Sequence, residues 1–140
     1  MIKKTIIVFA IFLAGCTSNK TLKHPLDKSK SKTFVLENGL KVYLLSDPSF
    51  NVSAASVSVE VGSLDNPDDR QGLAHFLEHM LFLGTEKYPD VDEYSSYLKT
   101  YGGYSNAYTA SDHTNYQFQV LPDGFEGALD RFSQFFISPL

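Results

Sequence analysis

Between residues 53 and 83 the hydrophobic period of the chain switches from that of a strand to that of a helix. Such a switch demands a fold in which helix packs on sheet. Over residues 53–61, Val57, Val59 and Val61 point to one side, and Ser56, Ser58 and Glu60 to the other. That alternation predicts a half-buried strand. Asn66-Pro67-Asp68-Asp69 then predicts a helix start with acids in the first turn. The helix is expected to run to about Leu83 and to stop at Gly84, a suitable cap.

The other elements follow from similar signals. Residues 34–45 predict two short strands around Asn38-Gly39, a strong hairpin signal. A second helix is expected from Asp90, with Glu93 completing a capping box and Tyr94, Tyr97, Leu98 and Tyr101 forming its apolar stripe. Gly102-Gly103 end it. Residues 104–110 and 114–121 predict paired strands around Ser111-Asp112-His113. Asp123 and Glu126 are expected to cap a third helix, with Phe125, Leu129, Phe132 and Phe136 along one side. Strands and helices mix without a regular β-α alternation, which predicts an α+β fold with a largely antiparallel sheet. Eleven Phe and eight Tyr with no Trp make the expected core aromatic.

Charge excludes one class of partner. Residues 17–32 carry five Lys against one Asp, but from residue 33 onward five Lys or Arg face fifteen Asp or Glu. A folded part this acidic predicts no nucleic-acid binding, which needs a basic surface. The single cysteine, Cys16, excludes an internal disulfide. It closes MIKKTIIVFAIFLAGC, in which two lysines precede a short apolar run. The run is too short to span a bilayer as a mature helix and suits a secretory signal. Leu13-Ala14-Gly15-Cys16 resembles the bacterial lipobox. That resemblance implies cleavage before Cys16, acylation there, and attachment to a membrane. Thr17 after the cysteine implies, by similarity to enteric sorting rules, the outer membrane facing the periplasm. The expected organisation is a signal peptide over residues 1–15, a lipidated Cys16 and polar tether over 16–32, and a folded domain over 33–140.

The chemistry concentrates in His75-Phe76-Leu77-Glu78-His79. On a wheel of about 100° per residue, Leu73, Phe76, Leu77, Met80 and Leu81 share one band, and His75, Glu78 and His79 lie opposite. The three polar residues are therefore expected on one exposed or cleft-facing surface, with the apolar band toward the core. Imidazoles at i and i+4 converge on one ion, and Glu78 sits where a carboxylate reaches a nearby water without itself binding metal. The bland reading is a solvated polar face. Phe82 falls on the same side as the histidines, either lining a pocket or packing under a neighbouring loop.

His-x-x-Glu-His is the inverzincin signature. GLAHFLEHMLFLGTEKYP, residues 72–89, resembles the zinc-site helix of the pitrilysin and insulin-degrading-enzyme family. LENGLKVYLLSDP, GSLDNP, YGGYSNAYTASDHTNYQF and GALDRFSQFFISPL resemble that family in the same order, so the similarity covers residues 33–140. It implies a zinc endopeptidase with an α+β amino-terminal domain. It makes His75 and His79 ligands of one zinc ion and Glu78 the catalytic base. Asn106 and Ala107 become positions that pair with the substrate backbone, and Phe82 and Tyr108 pocket-lining positions. Without the resemblance, Asn106 reads as a polar strand-edge residue and Tyr108 as core. The family's third zinc ligand is a glutamate on a later helix, and only 61 residues follow His79, so that ligand is expected beyond residue 140. The resemblance thus implies a truncated member of a family acting on peptides, expected by itself to bind zinc weakly and to show no measurable peptide cleavage. The alternative is a non-catalytic, membrane-anchored lipoprotein that keeps the fold and some metal affinity.

Overall fold

The computed structural model describes residues 23–140. Cys16, the apolar run before it and the start of the tether lie outside the described residues. The chain order is β1 (Lys30–Val35), β2 (Lys41–Ser46), β3 (Ser53–Val59), α1 (Leu73–Met80), α2 (Glu93–Thr100), β4 (Tyr104–Thr109), β5 (Thr114–Val120) and α3 (Phe125–Gln134). Strands β1 and β2 form an antiparallel hairpin, and β3, β5 and β4 form an antiparallel sheet in that spatial order. The mixed, antiparallel α+β architecture is the one the sequence predicts.

The hairpin turns where expected. Gly39 has φ 87°, a left-handed conformation that costs glycine nothing sterically. Ordered pairing starts at Lys30, so the last residues assigned to the tether belong to β1. In β3 the exposure alternates residue by residue, with Ala55, Val57 and Val59 turned inward. Val61 lies past the strand and is exposed.

The core lies between the sheet and α2 and α3. Strand β5 contributes Tyr116, Phe118 and Val120, α2 contributes Tyr94 and Leu98, and α3 contributes Ala128 and Phe132, with Phe135 just after it. Phe118 meets Phe132 edge-on at 5.1 Å and Tyr94 meets Phe135 at 5.0 Å, the offset geometry that aromatic quadrupoles favour. The two helices approach closely because Gly127 has no side chain: a Cβ there would stand 2.1 Å from the Tyr97 hydroxyl. Arg131 of α3 lies between the rings of Tyr97 and Tyr88, 3.9 and 4.4 Å from their centroids, and pairs with Glu93 at 2.6 Å.

Four expectations about helices need correction. The first helix starts at Leu73, not near Pro67, because Gly72 adopts φ 86° and breaks the path. Asn66 instead caps it from a distance, its Oδ1 accepting from the Ala74 amide at 2.9 Å. Glu93 closes no capping box; its carboxylate is taken by Arg131. Neither Asp123 nor Glu126 caps α3 through its side chain, and Leu129 is 41% exposed, the buried stripe running through Ala128, Phe132 and Phe135.

The fourth correction bears on the site. Helix α1 does not turn its apolar band inward. Phe76 is 61% exposed, Leu73 and Leu77 are also exposed, and Glu78 is 5% exposed. The sheet-facing side runs through Ala74, Glu78 and Leu81, rotated by about 100° from the expected face. Tertiary anchors set this rotation: the Asn66 cap at one end, and at the other Leu140 and Glu86, whose amides donate to the Gly84 and Ser138 carbonyls.

Candidate metal centre and peptide-binding edge

His75 and His79 stand one turn apart on α1, both exposed, with ring centroids 4.7 Å apart and Nε2 atoms 3.0 Å apart. Two nitrogens bound at about 2.0–2.1 Å to a tetrahedral ion are separated by about 3.4 Å, so the pair fits two positions of a zinc site with a small opening. Among the described residues no group of three or more His, Cys, Asp and Glu side chains clusters closely enough to hold an ion. The donor set present is two imidazoles, a ligand type that suits zinc.

Glu78 separates from the histidines by pointing into the fold. Its Oε2 accepts a hydrogen bond from the Thr109 hydroxyl at 2.5 Å. Burial pushes the Tyr116 phenol up, and the nearby Glu78 charge adds to the rise. Of the three residues expected on one exposed or cleft-facing surface, the histidines are exposed and the Glu78 carboxylate is buried behind them against β4 and β5.

Strand β4 is at the edge of its sheet. One side pairs with β5, with Asn106 opposite Gln117 and Ala107 opposite Tyr116, and no described strand pairs with the other. Ala107 is half-buried on the helix side, while Asn106 and Tyr108 are exposed on the opposite face. Tyr108 is not in the core. Its ring meets His113 edge-on at 5.7 Å, with 3.4 Å between its hydroxyl and Nε2. The other nitrogen of His113 lies 2.7 Å from Asp112, and this hydrogen bond holds the Asp112 carboxyl below its ordinary value.

Phe82 packs inward rather than standing free. It contacts Phe135 at 5.3 Å, Tyr116 at 6.3 Å and Tyr94 at 6.4 Å. A shallow depression lined by Ala54, Ser56, Tyr104, Gln117 and Gln119 lies on the outer face of the sheet, away from the histidines. Sequence reasoning passed over Thr109. The available signal was the alternation of β4, which puts it on the same side as Ala107, facing α1.

A family model described as insulinase, peptidase family M16, matches residues 41–140. The chain is 52% identical to the human insulin-degrading enzyme over 122 residues, 87% of this chain and 12% of that protein. It is 61% identical over 105 residues to the insulin-degrading enzyme of Drosophila melanogaster, 75% of this chain and 11% of that protein. Among solved structures, it is similar to pitrilysin with a TM-score of 0.81 and 40% identity, covering 88% of this chain and 13% of that one. The chain therefore spans about one eighth of the length of the relatives it matches. With the family model covering every element from β2 onward and the histidine pair, the chain belongs to the insulinase family of peptidases, M16.

Proposed function

We propose that the chain carries the metal-binding and proton-transfer part of a zinc-dependent endopeptidase. The observation that carries this reading is the 3.0 Å approach of the His75 and His79 Nε2 atoms with Glu78 buried beside them. Zinc, when bound, supplies Lewis acidity that polarises a carbonyl and makes water a stronger acid. Glu78 takes the proton of the attacking water and returns it to the departing amine. The substrate class is peptides in extended form, added as a strand along β4 at Asn106 and Ala107, so that backbone hydrogen bonds supply affinity and Tyr108 meets a side chain. Phe82 acts from beneath, through the aromatic cluster. A third protein ligand would be needed to complete a catalytic zinc site around the two histidines. The lipobox-like Leu13-Ala14-Gly15-Cys16 supports acylation at Cys16 and a periplasm-facing place on the outer membrane.

The test is zinc titration of the chain and of its His75→Ala and His79→Ala variants, with a quenched fluorescent peptide assayed with and without chelator. Zinc affinity that both substitutions weaken is the expected result. Affinity indifferent to both would overturn the site. No measurable turnover is expected from these residues alone, and chelator-sensitive turnover lost in Glu78→Gln would place the third ligand within them or on a partner chain.

A further inference from the structure

We propose that Thr109 is the positioning residue for Glu78: its hydroxyl pins Oε2 and leaves Oε1 as the oxygen that takes up a proton. The proposal rests on the reading of Glu78 as the base. Thr109 ends β4 on the helix-facing side, in register with Thr114 of β5. Its Oγ1 donates to Glu78 Oε2 at 2.5 Å, at the short end of hydroxyl–oxygen hydrogen bonds.

The distances leave the carboxylate as the closest partner of that hydroxyl. A threonine hydroxyl has one proton to donate. The buried Thr114 gives its own to the Val61 carbonyl at 2.8 Å and stands 3.4 Å from Thr109 Oγ1. Glu78 Oε2, at 2.5 Å, is the nearer partner of the Thr109 hydroxyl. The surrounding strand ends are tightly stitched: the Ser63 amide donates to the Ala110 carbonyl, and the Leu64 amide to that of Ser111, both at 2.9 Å. A Cβ at Gly62 would lie 2.5 Å from the Ser111 carbonyl carbon, so this junction has no room to shift. The sheet therefore sets the hydroxyl, the helix sets the carboxylate, and one hydrogen bond locks the two together. A glutamate side chain without a partner samples several staggered rotamers. One held at Oε2 presents Oε1 in a single direction, as a base within reach of a water must.

The experiment uses the full chain and two substitutions, Thr109→Val, which keeps the shape and removes the donor, and Thr109→Ser, which restores it. Three-bond side-chain couplings measured by NMR report whether Glu78 occupies one rotamer or several. One rotamer is expected in the wild type and in Thr109→Ser, and averaged couplings in Thr109→Val, with zinc affinity equal in all three. Wild-type couplings in Thr109→Val, or averaging in Thr109→Ser, would overturn the proposal. Should Thr109→Val fail to fold, the wild type alone still decides. A slowly exchanging Thr109 hydroxyl proton close to the Glu78 methylenes is expected, and its absence rejects the hydrogen bond. A chain that binds no zinc would sink the metallopeptidase reading and leave these couplings unchanged.

Discussion

His75 and His79 face each other across one turn of α1 with their Nε2 atoms 3.0 Å apart. At that separation one ring can donate an N–H to the other, and a bound ion would draw on both nitrogens instead. Either substitution to alanine is expected to weaken zinc binding by more than the about 10- to 100-fold lost when an outer-shell partner is removed. Imidazole must be unprotonated to ligate, so affinity should fall as pH is lowered and binding should release protons. Calorimetry in two buffers of different ionisation enthalpy measures that release; zero release would contradict ligation by these side chains.

Glu78→Gln keeps the shape and the acceptor for Thr109 while removing basicity. Zinc affinity should remain within a few-fold of wild type. In a preparation that cleaves peptide, turnover should drop by at least about 100-fold, the low end of what a positioned base contributes. Single-turnover kinetics checks this, and normal hydrolysis by the variant would remove Glu78 from the mechanism.

Phe132 and Leu129 are one turn apart on α3 yet have opposite environments. Phe132 is 1% exposed among Phe118, Phe135 and Phe136, so Phe132→Ala should cost about 3–5 kcal/mol. Leu129 is 41% exposed, and Leu129→Ala should change stability by about 0.5 kcal/mol or less. Urea denaturation of the two variants gives both numbers, and equal losses would mean that the face of α3 has been misassigned.

Cys16 lies outside the described residues, and its expected acylation is tested on the cell envelope. Cys16→Ser should leave the protein unprocessed or move it out of the membrane fraction, since stable anchoring needs more than one acyl chain. Mass spectrometry of the wild-type amino terminus provides the second readout, and an unmodified Cys16 there would reject the anchor.

Local sequence by itself determined the parts whose causes are local. Asn38-Gly39 turns the hairpin because glycine accepts φ 87°, and the alternation of β3 emerges from a pleat that any strand obeys. The His75 and His79 convergence follows from the pitch of any helix, so four residues of spacing sufficed to bring the two imidazoles together. Tertiary structure decided which way that helix turns. Its apolar band argued for burying Phe76 and Leu77, yet Asn66 at one end and the Gly84 to Leu140 pairing at the other roll Glu78 inward against Thr109. Those anchors sit far away in sequence, as does Arg131 from the Glu93 that takes it out of a capping role. Hydrophobic periodicity finds a helix and its two faces, but says nothing of which neighbours claim them; that choice belongs to contacts between segments distant in the chain.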